Sequence, residues 1–120
     1  RVNVSADIPA YFTNSNTVAF TVFRDFRSVV AMRGDLGSRK FISGKLPVGK
    51  QITVVIISKL GDDYYLGYES AITQSSTSLN QVVHVVPVKK SFPDILSQYP
   101  LVLKLTIRKR LQMLQPLLCL

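Results

Sequence analysis

The chain has little of what usually carries chemistry. Its 120 residues hold one cysteine, Cys119, one histidine, His84, and no tryptophan. A single cysteine excludes an internal disulfide framework, and one cysteine with one histidine cannot furnish a Cys/His zinc site. No apolar run reaches the roughly 18 residues that a transmembrane helix needs, so none is expected. A phosphate-cradling loop is missing as well: Gly44-Lys45-Leu46-Pro47-Val48-Gly49-Lys50 contains Gly-Lys, but without the Walker spacing or the Ser/Thr that should follow. His84 sits among valines, with neither a nucleophile elbow nor a neighbouring acid to suggest a Ser-His-Asp triad. The sequence therefore gives no reason to expect an enzyme, a metal or a cofactor.

Acidic residues are also scarce, and unevenly so. The net charge is +8. Residues 1–100 hold eleven Lys and Arg against seven Asp and Glu, while residues 101–120 hold Lys104, Arg108, Lys109 and Arg110 with no acid at all. Half the basic excess thus lies in one sixth of the chain. A high charge favours nucleic acid or anionic membranes as partners, but here it marks an unusual tail rather than a basic platform, and nucleic acid is disfavoured. The chain opens on Arg1 without an initiator Met or a signal peptide, as a mature or trimmed chain would.

What is present is a strand pattern. Nearly half the residues (47%) are apolar, enough to bury one core in a domain of this length. Val2, Val4, Ala6 and Ile8 alternate with Arg1, Asn3, Ser5 and Asp7 up to Pro9, the period of a strand with one wet face. Thr17–Phe26 alternates with apolar residues on both sides, as a central strand does. Shorter runs follow at Ser28–Met32 and Lys40–Leu46, with turns expected at Gly34-Asp35-Leu36-Gly37 and Pro47-Val48-Gly49-Lys50. Gln51–Leu60 and Tyr64–Thr73 then flank Gly61-Asp62-Asp63 as the two arms of a hairpin. Gln81–Val88 reads as one more strand, with Val82, His84, Val86 and Val88 opposed to Val83 and Val85. Ser91-Phe92-Pro93-Asp94 opens a short helix near residues 92–99, because Ser caps and Pro is tolerated in a first turn. About seven strands with frequent turns predict an all-β, two-layer antiparallel sandwich. No long stretch has helical period, which disfavours βαβ architectures.

The expected organisation is a sandwich domain over residues 1–100 and a basic, apolar tail over 101–120. Leu103, Leu105 and Ile107 alternate with Lys104, Thr106 and Arg108, so the first half of the tail has the pattern of a further strand. Its second half, Leu111–Leu120, is apolar and broken by Pro116. Three roles remain open: an extra strand or cover for the core or a partner, a membrane-surface segment, and a non-native extension.

Few residues suggest a site. Tyr64, Tyr65 and Tyr68 cluster in one arm of the hairpin, Tyr64 and Tyr68 on one face with Leu66 and Tyr65 on the other. With Lys45, Lys50 and Lys59 nearby, such rings offer stacking to sugars or bases; cross-strand packing is the plainer role. His84 is expected to be a half-buried imidazole with one hydrogen bond. Asp62 and Asp63 are expected to serve the turn, where Asp bonds its own backbone.

The segment Phe41–Val55 contains Leu46-Pro47-Val48-Gly49 followed by the β run Ile52–Ile57. It resembles the Leu-Pro-x-Gly segment of transthyretin-like modules, also called carboxypeptidase-regulatory-like domains, which are relatives of Ig-like sandwiches. The resemblance spans about residues 17–88. It implies that one strand enters the Leu46-Pro47-x-Gly49 turn, a central strand leaves it and Gln81–Val88 closes the sheet. The chain lacks the early Gly-rich strand pair of that family. Such modules resemble accessory parts of secreted, periplasmic and cell-surface proteins, often bacterial. The expectation is a non-catalytic structural or protein-interaction module. Carbohydrate binding through Tyr64, Tyr65 and Tyr68 is one alternative, and nucleic-acid or peripheral membrane contact through Lys104, Arg108, Lys109 and Arg110 is the other.

Overall fold

The computed structural model describes residues 2–9, 17–24, 29–34, 39–74 and 80–97. Nine strands and one short helix lie among them: β1 (Val2–Asp7), β2 (Thr17–Phe23), β3 (Val29–Ala31), β4 (Arg33–Gly34), β5 (Lys40–Leu46), β6 (Gln51–Leu60), β7 (Asp63–Ile72), β8 (Asn80–His84), β9 (Val88–Lys90) and α1 (Phe92–Ser97). They form a small sheet in the order β4-β5-β1-β8 and a large sheet in the order β3-β2-β6-β7-β9. The expected all-β, two-layer sandwich is what the chain builds.

Alternation of side chains sets which residues meet between the layers. Val4, Ala6 and Ile8 of the β1 segment, Phe41 and Leu46 of β5, and Val83 and Val85 after them face Ala19 of β2 and Ile52, Val54 and Ile56 of β6. Thr17 and Ser58 lie opposite each other in register on that inner side, and their buried hydroxyls bond at 2.7 Å. A second apolar cluster lies on the outer face of the large sheet. Val18, Phe20 and Val22 of β2, Val55 and Ile57 of β6 and Leu66 of β7 pack there with Ile95 of α1, and Phe92 joins the margin. The helix is short but defined. Ser91 Oγ accepts the Asp94 N–H at 3.2 Å, as an N-cap does, and places Phe92 and Ile95 on the face toward the sheet.

The hairpin forms in the register its sequence announces. Leu60 pairs with Asp63, which leaves Gly61-Asp62 as a two-residue loop. Both primed turn types need a positive φ at the first loop position, and Gly61 supplies it at 60°. Asp63 therefore opens β7 instead of completing the turn. At the Leu46-Pro47-x-Gly49 turn, β5 arrives from the small sheet and β6 leaves as the central strand of the large one. Thr73 pins this turn, although its sequence context gives no sign of it. Its Oγ1 donates to Pro47 O at 2.7 Å and accepts the Lys50 N–H at 2.9 Å, while its backbone exchanges bonds with Gly49 and Lys50.

Several expectations need correction. The strand expected over Gln81–Val88 is two strands in different sheets. β8 ends at His84, Val85-Val86-Pro87 crosses between layers, and β9 begins at Val88. Pro87 cannot donate a ladder bond, and the crossing needs room that Gly67 provides: a Cβ there would lie 2.7 Å from Val85 Cγ1 and 2.9 Å from Pro87 N. The sandwich is not wholly antiparallel, because β8 runs parallel to β1. No hairpin joins the two strands, so nothing forces them to oppose. Within Ser28–Met32 the described strand is β3, after which buried Met32 carries the chain into the small sheet, where Arg33–Gly34 pairs with β5; of the turn expected at residues 34–37, positions 35–37 lie outside the described residues. β5 also carries a bulge: Asn3 pairs with Lys45 but Ser5 pairs with Ile42. Gly44 takes φ 84°, and Ser43 Oγ accepts the Val4 N–H at 3.1 Å that the ladder no longer satisfies. The helix is described through Ser97; the expected end near residue 99 and the whole tail from 101 lie outside the described residues.

Candidate functional site

Two surfaces bring chemically useful side chains together. The first is the hairpin end of the large sheet. Register aligns Lys59 of β6, Tyr64 of β7 and Lys90 of β9 in one row across three strands. All three face outward, since Tyr64 shares a side with Leu66 and the outer cluster. Lys59 Nζ sits 5.6 Å from the centroid of the Tyr64 ring, a cation–π distance. The Phe92 ring lies 4.9 Å away from Tyr64, tilted by 38°. On the inner side of the same strands, Lys89 reaches Asp63 at 3.5 Å. Both partners are more than half or about half exposed, so the pair contributes at most about 1 kcal/mol. Between β9, the Gly61-Asp62 loop and α1 lies a shallow cleft of about 430 Å³ that Tyr64, Lys90 and Phe92 help to line.

The tyrosines expected to act together do not share a platform. Tyr64 is half-buried between Lys59 and Phe92. Tyr65 turns inward and packs against the inter-sheet core. Tyr68 is 60% exposed on the outer side, beyond the end of β9. The arrangement fastens α1 to the hairpin through Tyr64, and leaves Tyr68 as the one freely accessible ring of the three. Lys45 and Lys50, also expected beside the aromatics, are exposed elsewhere, around the bulge and the Pro47–Lys50 turn.

The second surface is the outer face of the small sheet. β8, β1 and β5 align His84, Asp7 and Lys40 in one row, and Val82, Ser5 and Ile42 in the next, with Arg33 of β4 beside Ile42. Ile42 is 36% exposed and Val82 47%. Between them the Ser5 side chain is wholly buried, and its Oγ has no hydrogen-bond partner among the described residues. His84 corrects the expectation of a half-buried imidazole: its side chain is 80% exposed, with Nδ1 4.0 Å from Asp7 Oδ2. The alternation was right, since Val83 and Val85 do face the core, but β8 is the last strand of its sheet and its outer row meets no covering layer among the described residues. Next to this row Asp7, Ile8, Arg39 and Lys40 frame an open hollow of about 340 Å³.

The basic residues expected to make contacts from the tail, Lys104, Arg108, Lys109 and Arg110, lie outside the described residues. The sequence did not single out the apolar strip of Ile42 and Val82. Its signal was available only in pairs: each residue stands in an alternating strand, and the register that joins them through Ser5 is non-local.

No protein-family model matches the chain, and no curated protein matches it by sequence. Among solved structures, the chain is similar to a DUF4876 family protein from Bacteroides thetaiotaomicron, with 11% sequence identity and a TM-score of 0.46. The match covers 74% of this chain but only 24% of that one, so the chain spans about a quarter of the length of the protein it is compared with.

Proposed function

We propose that the chain is a non-catalytic protein-interaction module, an Ig-like or transthyretin-like sandwich belonging to an exported or cell-envelope protein. The observation that carries the reading is the outer face of the small sheet. An apolar strip formed by Ile42 and Val82 lies there on either side of Ser5, with the charged row His84-Asp7-Lys40 along one flank and Arg33 at the end of its own row. A small apolar centre with a polar rim is the anatomy of a modest protein interface. The compartment is inferred from the resemblance of Leu46-Pro47-Val48-Gly49 and its flanking strands to modules of exported proteins.

A photo-cross-linking amino acid at position 82, introduced in the cells from which the chain comes, tests this reading. The expected result is a discrete protein adduct in the envelope or secreted fraction, abolished by Ile42→Asp. A chain confined to the cytosol, or one that forms no adduct from position 82, contradicts it.

A further inference from the structure

β7 is ten residues long, but β9 accompanies only its first part. Tyr64, Tyr65 and Leu66 pair with Lys90, Lys89 and Val88. From Gly67 to Ile72, no strand among the described residues pairs with β7 on the side away from β6. Tyr68, Glu69, Ser70 and Ile72 are all exposed along this stretch.

The direction of its backbone groups follows from Thr73. The Thr73 N–H donates to Lys50 O, and its carbonyl accepts the Gly49 N–H, so both groups face the β6 side. In a regular antiparallel strand the N–H and C=O of one residue point the same way, and the direction alternates along the chain. The β6–β7 register runs without a shift from Leu60↔Asp63 to Gln51↔Ile72. Tyr68, Ser70 and Ile72 therefore aim their backbone groups at the open edge. The Ile72 carbonyl, on that side, already accepts Gln81 Nε2 at 3.0 Å, and Gln81 Oε1 accepts the Gln74 N–H at 3.0 Å, so the Gln81 amide caps this end of the edge and has to release Ile72 O where a second strand pairs with it.

We propose that this edge associates with a second copy of the chain, antiparallel about a two-fold axis at Ser70, so that the two large sheets become continuous. The stretch Tyr68-Glu69-Ser70-Ala71-Ile72 is complementary to itself when two copies run antiparallel. With the axis at Ser70, Tyr68 of each copy lies opposite Ile72 of the other, and Ser70 lies opposite Ser70. The two large exposed apolar side chains of the edge, 60% and 56% accessible, cover each other twice. On the opposite side of the strand Glu69 meets Ala71. Moving the axis to Glu69 would set two carboxylates against each other and place Tyr68 on Ser70, a poorer match on both faces. An axis between two residues is excluded, because it would align edge-facing backbone groups with groups that already face β6. Glu69 thus fixes the register and also discourages other strands from adding to the edge. The pairing is isologous, so it closes at two copies and does not run on into a fibre. An edge this short buries less than a standard interface, and the association is weak and concentration-dependent. It uses a different surface from the outer face of the small sheet, so either proposal stands if the other fails.

Sedimentation equilibrium of the full chain, from micromolar to near-millimolar concentration, is the test. The expected result is a reversible shift toward twice the chain mass. Ser70→Pro removes an N–H that β6 does not use, a change edge strands tolerate, and weakens the dimer at least about tenfold with an unchanged dichroism spectrum. The double variant Tyr68→Lys/Ile72→Lys keeps every backbone group but opposes ammonium groups across the axis, and weakens it by at least about tenfold as well. It serves as the deciding variant if Ser70→Pro does not fold. A chain that stays monomeric throughout, or a dimer that a folded variant leaves unchanged, overturns the proposal.

Discussion

In the large sheet, β6 is buried on both faces. Ile52, Val54 and Ile56 point toward the small sheet, Val55 and Ile57 point away, and each is at most 1% exposed. In the small sheet, β1 is buried mainly on one. Val4 and Ala6 enter the core, while Asn3 and Asp7 point outward beside partly exposed Ile42 and Val82. The difference has a simple origin. The large sheet has an apolar row on its outer face and a capped helix, α1, that sets Phe92 and Ile95 against it. The small sheet mixes charges and β-branched residues in its outer rows. Apolar area on the first surface has already been removed from water; apolar area on the second is still available to a partner.

Identical substitutions on the two outer faces should separate them most widely. Ile57→Ala, on the large sheet, is expected to cost about 2–5 kcal/mol in urea denaturation, because it leaves a cavity in a closed cluster. Ile42→Ala, on the small sheet, is expected to cost less than about 1 kcal/mol, since its side chain is already partly in water. Equal losses would end the distinction. Gly67→Ala probes the place where the chain crosses from one sheet to the other. Its methyl group would meet Val85 and the Pro87 backbone, and the expected loss is about 1–3 kcal/mol. A neutral result would mean that the Val85–Pro87 crossing lies farther from β7. Thr73→Val removes the hydroxyl that ties the Pro47–Lys50 turn to the end of β7. A lower urea midpoint, equivalent to about 1–3 kcal/mol, is expected. The smallest effects should have the opposite sign. The hydroxyls of Ser5 and Thr21 are buried without a hydrogen-bond partner among the described residues. Ser5→Ala and Thr21→Val should therefore be neutral or stabilise by up to about 1 kcal/mol. Losses above that figure would reveal partners for these groups.

Local chemistry made much of this legible in the sequence. The hairpin follows from β-branched and aromatic runs on either side of a glycine that takes positive φ, the helix start follows from Ser91, and the inter-sheet turn follows from Leu46-Pro47-x-Gly49. Other features depend on residues far apart in the chain. The alternation of Gln81–Val88 is the same whether the strand stays in one sheet or changes sheets; the change is set by Pro87 and by the space at Gly67, twenty residues earlier. The parallel pairing of β1 with β8 leaves no local trace, because both strands would alternate identically in either direction. Thr73 looks like the last residue of a strand, and only its reach back to Pro47 and Lys50 makes it a clamp. The candidate surfaces divide in the same way. The separation of Tyr65 from Tyr64 and Tyr68 follows from period two alone. The strip of Ile42, Ser5 and Val82 exists only once three strands are in register.

Amide hydrogen exchange tests the contrast between the sheets most directly. The account predicts that Val54–Ile57 of β6 exchange only through global unfolding and are the slowest amides in the chain, while Val82–His84 of β8 open locally and exchange faster. Protection of β8 equal to or greater than that of β6 would contradict it.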